Sequence, residues 1–179
     1  LGSDPAHMAE LENLVKRDRN HPSVIIWSIS NEEFFAQHTP QGQRVSATMV
    51  RRVHELDPSR LVTSAVNAGN IWEGTNAAVD VRGWNYNLGA GYDEYRAAHP
   101  EQPQVGTEQG STVSTRGEYA NDTVRTYVSA YDDNAPDWAN KMKVWSAFFE
   151  ARPWLAGGFV WTGFDYRGEP TPYRWPSIN

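Results

Sequence analysis

The 179-residue sequence predicts an α/β fold built on a parallel sheet. Three observations lead there. Short β-branched apolar runs alternate with segments of helical apolar spacing, the order expected of βαβ units. The run Ser23 to Ser30 is almost continuously apolar, as a strand covered on both faces should be. With 39% apolar and 21% charged residues, the chain can bury one ordinary core and nothing favours a second.

The first element is a helix over Pro5 to Asp18, where Met8, Leu11, Leu14 and Val15 recur at helical spacing and Asp4-Pro5 makes a cap and first turn. The strand at Ser23–Ser30 follows and runs directly into Asn31-Glu32-Glu33. A second helix spans Gln41 to Leu56 and stops at Asp57-Pro58, because proline disfavours helix in the residue before it. Leu61 to Val66 is the next strand, followed by a strand at about Asp80 to Tyr86, a short helix at Tyr92 to Ala98, and a strand at Gln104 to Thr107. A long loop, one or two helices between Glu118 and Arg152, and a last strand at Gly158 to Thr162 complete the pattern. A full (β/α)₈ barrel needs eight strands and about 250 residues. Five strands therefore imply either an incomplete barrel or a smaller open sheet, and an initial helix with no evident closing element favours the incomplete barrel.

Composition narrows the partners. A net charge of −6, with scattered Lys and Arg, leaves no basic stripe for nucleic acid. The absence of Cys excludes disulfides, thiolate metal sites and a cysteine nucleophile, and leaves the compartment open among periplasm, exterior and cytoplasm. No apolar run is long enough for a membrane span, and the first residues carry no secretory leader pattern. The five His show no metal-ligand spacing, so neither a metal nor a cofactor is expected. Eight Trp and eight Tyr suit either a core or, where they sit beside Gly, Asn and Asp in loops, stacking on sugar rings.

Two glutamates, Glu32 and Glu108, stand at the C-terminal ends of predicted strands, the face on which parallel α/β folds carry their sites. Each alone could be a helix-start carboxylate favoured by the helix dipole. Together, without metal-ligating histidines, they suit chemistry at an acetal carbon, one protonating the leaving oxygen and the other attacking. A separation of about 5 to 5.5 Å would retain configuration and about 6.5 to 9.5 Å would invert it.

The segment Asp18-Arg19-Asn20-His21-Pro22-Ser23-Val24-Ile25-Ile26-Trp27-Ser28-Ile29-Ser30-Asn31-Glu32 closely resembles the signature of glycoside hydrolase family 2, the family of β-galactosidases, β-glucuronidases and β-mannosidases. Pro103-Gln104-Val105-Gly106-Thr107-Glu108 is similar to the family's strand seven, and Gly157 to Tyr166 looks like its strand eight. The extension Arg167 to Pro176 resembles the branch made up mostly of β-galactosidases. Two departures stand out: Ser30, where many members have Gly, and Gln109, where many have Tyr.

The resemblance implies an incomplete (β/α)₈ TIM barrel, strands four to eight with their helices, filling residues 1–179. It implies a retaining exo-β-glycosidase, with Glu32 as acid/base and Glu108 as nucleophile. Asn31 would bind the sugar 2-hydroxyl, Tyr86 would donate to Glu108 and keep it a carboxylate, and Trp161 would floor the sugar subsite. The partners implied are a carbohydrate, most naturally a β-galactoside, and the barrel strands and flanking β-sandwich domains absent from these residues, with a second copy of the chain as a further candidate. Arg19 is a candidate for orienting the acid/base side, while His21 and Glu33 are expected to be structural. Glu118 is expected at a helix start, and Asp165 and Glu169 could line the cleft. A catalytically silent carbohydrate-binding barrel and a metal-dependent hydrolase are the competing classes.

Overall fold

The computed structural model of the chain describes residues 4–68, 73–89, 91–163 and 175–176. Its strands are β1 (Ile26–Asn31), β2 (Leu61–Val66), β3 (Val81–Asn85), β4 (Gln104–Gly110) and β5 (Leu155–Trp161). The helices are α1 (Pro5–Asp18), α2 (Pro40–Leu56), α3 (Tyr92–Ala98) and α4 (Met142–Glu150), and a 3₁₀ turn, Gly74–Ala77, precedes β3. The strands lie in one sheet in the order β1-β2-β3-β4-β5, and β1, β2 and β3 pair in parallel. This sequential parallel order is the topology of successive βα units in a barrel wall.

The chain divides into two compact units, Leu1–Thr107 and Glu108–Asn179, where composition had favoured a single core. In the first unit, local signals set the helix ends. Asp4 caps α1 by accepting from the backbone N–H groups of Ala6 and His7, with Pro5 in the first turn. Thr39 does the same for α2 through the N–H of Gly42, and α2 stops at Leu56 before Asp57-Pro58.

The two helices cover one side of the sheet. Leu11 and Val15 of α1, Val53 of α2, Trp27 and Ile29 of β1, Val62 and Val79 form one buried cluster. Val15, Val53 and Val62 are completely buried, each contributing about 1.5 to 3 kcal/mol of hydrophobic stabilisation. Further along this side, Arg82 lies flat on Trp84 at 3.9 Å, and Trp84 stacks on Tyr92 of α3 at 3.9 Å. Burial lowers the Arg82 guanidinium to about 10, which still leaves it charged at neutral pH.

The sequence predicts β1 to be covered on both faces; within residues 1–179 only one face is covered, as in an incomplete barrel wall. Trp27 and Ile29 are buried against the helices, but Ser28 is exposed on the opposite face.

In the second unit, β5 lies against α4 and the end of β4: a Cβ added at Gly158 would sit 3.2 Å from both Gln109 and Phe149. One helix, α4, forms between Glu118 and Arg152, and β5 begins at Leu155, earlier than the sequence pattern predicts.

Candidate active site

The C-terminal ends of β1, β2 and β3 converge on a polar cluster, and a local irregularity creates it. Three residues of β1 span two of β2, because Ser28 pairs with Thr63 and Asn31 with Ala65. In an unbroken strand Asn31 would share the helix-covered face of Trp27 and Ile29. The extra residue turns it to the face of Ser28, Thr63 and Ala65. Ser30 marks the bulge, its hydroxyl 2.5 Å from that of Ser64.

Glu32 follows with φ 51°, in the left-handed region that non-glycine residues rarely occupy. Its N–H donates to the carbonyl of Ala65 at 2.9 Å, extending the β1–β2 ladder one step and holding the unusual backbone in place. Tyr86 and Asn87, at the end of β3, have φ 53° and 52°. Strained backbone of this kind costs on the order of 1 to 3 kcal/mol per residue and clusters at functional sites.

Asn85 stands at the centre, fully buried. Its Nδ2 donates to Glu32 Oε1 at 2.8 Å and to Asn31 Oδ1 at 3.2 Å. Its Oδ1 accepts from Thr107 Oγ1 at 2.7 Å. Around the rim, Gln37 Nε2 donates to Asn67 Oδ1 at 2.8 Å, and Asn87 Nδ2 donates to the Asn67 carbonyl at 2.6 Å. The loops after β1, β2 and β3 are thus tied to one another by side-chain amides. The Tyr86 carbonyl accepts from the Tyr92 hydroxyl at 3.1 Å, fixing the strand exit to α3.

The expected site residues are distributed as follows. Asn31 and Glu32 are brought together, and Tyr86 directly follows Asn85 at the end of β3. Glu108 is half-buried within β4, which extends to Gly110 instead of ending at Thr107. Trp161 is the last residue of β5 and 41% exposed. Asp165 and Glu169 lie outside the described residues.

Arg19 is corrected: it donates to the Leu56 carbonyl at 2.7 Å and sits before β1, at the opposite end from Glu32. The His21 carbonyl accepts from Arg60, and its exposed ring lies 3.6 Å from Asp18, before β1. The Glu33 carbonyl accepts from the N–H groups of Ala36 and Gln37 in the turn after β1. Glu118 is not at a helix start; it lies in a loop, 3.5 Å from Arg125.

Asn85 and Thr107 were not singled out from sequence. The signal was available, since each is a polar residue at the end of a buried strand and directly precedes a residue that was chosen. Among the described residues, no group of three or more His, Asp or Glu could hold a metal ion. No described helix is long and apolar enough to cross a membrane.

Comparison with known proteins agrees with this architecture. Residues 2–175 match the family model described as glycosyl hydrolases family 2, TIM barrel domain. A β-galactosidase of Bacteroides ovatus is 29% identical over 96% of this chain and 26% of its own length. A β-glucuronidase of Chlorocebus aethiops is 26% identical over 94% of the chain and 27% of its own length. The chain thus spans about a quarter of these relatives. The crystal structure of a glycosyl hydrolase family 2 member from Bacteroides cellulosilyticus superposes with a TM-score of 0.66 at 28% identity, covering 92% of this chain and 19% of that one. The sequential strand order, the Asn31-Glu32 pair at the end of β1 and the match over nearly the whole length lead to one conclusion: this chain belongs to glycosyl hydrolases family 2 and forms part of its TIM barrel domain.

Proposed function

We propose that the complete polypeptide is a retaining exo-β-glycosidase that removes terminal β-galactosyl groups, with Glu32 as acid/base and Glu108 as nucleophile. The observation that carries this reading is the Asn31-Glu32 pair, aimed by the bulge in β1 and held by Asn85 at the strand ends. In the first step the Glu108 carboxylate attacks the anomeric carbon while Glu32 gives its proton to the glycosidic oxygen, so the aglycone leaves as an alcohol. In the second, Glu32 takes a proton from water as that water's oxygen displaces Glu108 from the glycosyl ester, and the sugar leaves with its β configuration.

Asn31 binds the 2-hydroxyl, a contact that strengthens as charge develops at the anomeric carbon. In this reading the role of Tyr86 is to donate to the Glu108 carboxylate in the complete polypeptide, and the exposed Trp161 ring offers a face to the sugar. The β-galactosidase relative that matches 96% of the chain, and the Arg167 to Pro176 segment, favour a galactoside. The β-glucuronidase relative makes a glucuronide the second reading.

Nitrophenyl β-galactoside, β-glucuronide, β-mannoside and β-glucoside, offered to the complete polypeptide, test the sugar: fastest turnover is expected on the galactoside. Turnover of the glucuronide alone would overturn that choice. Glu108→Gly should abolish turnover, and azide should restore it with an α-glycosyl azide as product. A β-glycosyl azide, or no rescue, would remove Glu108 from the role of nucleophile.

A further inference from the structure

We infer that Asn85 is a positioning residue for the acid/base, and that Thr107 holds the far end of its amide in place. This rests on the reading of Glu32 as acid/base given above.

The argument comes from which hydrogen-bond partners an amide can accept. An asparagine side chain carries a donor end and an acceptor end, and its neighbours determine which way it faces. Glu32 Oε1 and Asn31 Oδ1 are both acceptors, so the side of Asn85 that faces them at 2.8 and 3.2 Å must be Nδ2. The Thr107 hydroxyl, 2.7 Å from the other end, then donates to Oδ1 and holds the acceptor end of the amide in place. Reversing the amide would set its oxygen, on a fully buried side chain, against the Glu32 carboxylate oxygen, which is unfavourable.

Two consequences follow for the reaction. The Glu32 carboxyl is tethered through Oε1, which leaves Oε2 as the oxygen that carries the proton to the glycosidic oxygen. Asn31, with its own oxygen engaged by Asn85, presents its N–H₂ end away from the strand ends, as a donor for a sugar hydroxyl. A single buried residue of β3 therefore aligns two consecutive residues at the end of β1, and a hydroxyl of β4 supports that residue.

The groove between α3 and the 3₁₀ turn, lined by Asp80, His99 and Gln102, lies at the opposite ends of the strands, and Asp80 is already held by His54 at 2.8 Å and by the Val62 N–H at 2.7 Å.

The test uses the complete polypeptide with Asn85→Ala, Thr107→Val and Glu32→Ala, and a series of aryl β-glycosides whose leaving groups range from dinitrophenol to unsubstituted phenol. The quantity read is kcat/KM, which reports only the steps up to aglycone departure. A misplaced general acid forfeits part of its roughly 10²- to 10⁴-fold contribution, and only where the leaving group needs a proton.

Asn85→Ala should lose roughly tenfold or more on phenyl glycosides and little on dinitrophenyl glycosides, between native protein and Glu32→Ala. Thr107→Val, which keeps the side-chain shape, should show the same pattern more weakly and keeps the test valid if Asn85→Ala does not fold. A uniform loss across the series in both variants, with Glu32→Ala still selective, would overturn the inference alone. A flat Glu32→Ala series would overturn the assignment of Glu32 as acid/base, and the inference with it.

Discussion

Glu32 owes its position to backbone geometry that its own side chain does not favour. Its left-handed φ is stabilised from outside, by the Ala65 carbonyl on the backbone and by Asn85 on the carboxyl. Gly83, two residues before Asn85, shows how closely the strands beneath this cluster approach. A Cβ there would lie 2.2 Å from the Ser64 carbonyl oxygen and 2.7 Å from the Thr107 methyl. A carbonyl in a sheet ladder cannot swing aside, so Gly83→Ala must move β3 away from β2. We expect it to destabilise the protein by roughly 2 to 3 kcal/mol and to loosen the contact between Asn85 and Thr107. Chemical denaturation combined with the aryl glycoside series checks both effects, and a variant as stable as native would mean the strands are less closely packed than described here.

Among the elements, β1 is the most instructive, because its two faces have different fates. The Trp27 face joins the helix-covered cluster, and Trp27 also donates through Nε1 to Asp57 at 2.9 Å. Asp57 links the end of α2 to the start of β2: it accepts from the Ser59 hydroxyl and N–H and from Arg60 Nη1, while Arg60 reaches back to the Val24 carbonyl. Burial opposes the charged form of Asp57, but the hydrogen bonds from Ser59, Arg60 and Trp27 outweigh it and hold the carboxyl well below the usual carboxylate range. A depressed folded value means that the stabilisation is fully present above the unfolded value near 3.8 and is lost as pH falls below it. Asp57→Ala should therefore cost about 3 kcal/mol at pH 7, because it leaves Arg60 and the Trp27 N–H without their shared acceptor. The gap between native and variant should narrow below about pH 4, and a gap independent of pH would show that Asp57 acts only by filling space.

On the scale of the whole molecule, the first unit holds the helix-covered cluster, and it leaves Ile25, just before β1, and Ser28 of β1 uncovered. In the second unit Phe159, Val160 and Trp161 of β5 are exposed in succession. Unpaired strand edges and apolar strand faces of this kind drive self-association. Residues 1–179 produced alone should consequently sediment as oligomers or aggregates and bind a hydrophobic dye, whereas a monomer with a cooperative unfolding transition would contradict this. The bounds of α1, α2, β2 and α3 were legible in the chain because their signals are local, as with Asp4-Pro5 at one helix start and Asp57-Pro58 at a helix stop. Family membership was legible too, because the run from Asp18 to Glu32 is contiguous. The bulge that turns Asn31 onto the cleft face was not, since strand register depends on pairing with β2 over thirty residues away. Nor was the bridge from Thr107 through Asn85 to Glu32, which joins three strands separated in sequence by 22 and 53 residues. Local chemistry names the residues that can act, but hydrogen-bond direction and register arise only when distant strands meet, and in this protein they set which way the Glu32 carboxyl points.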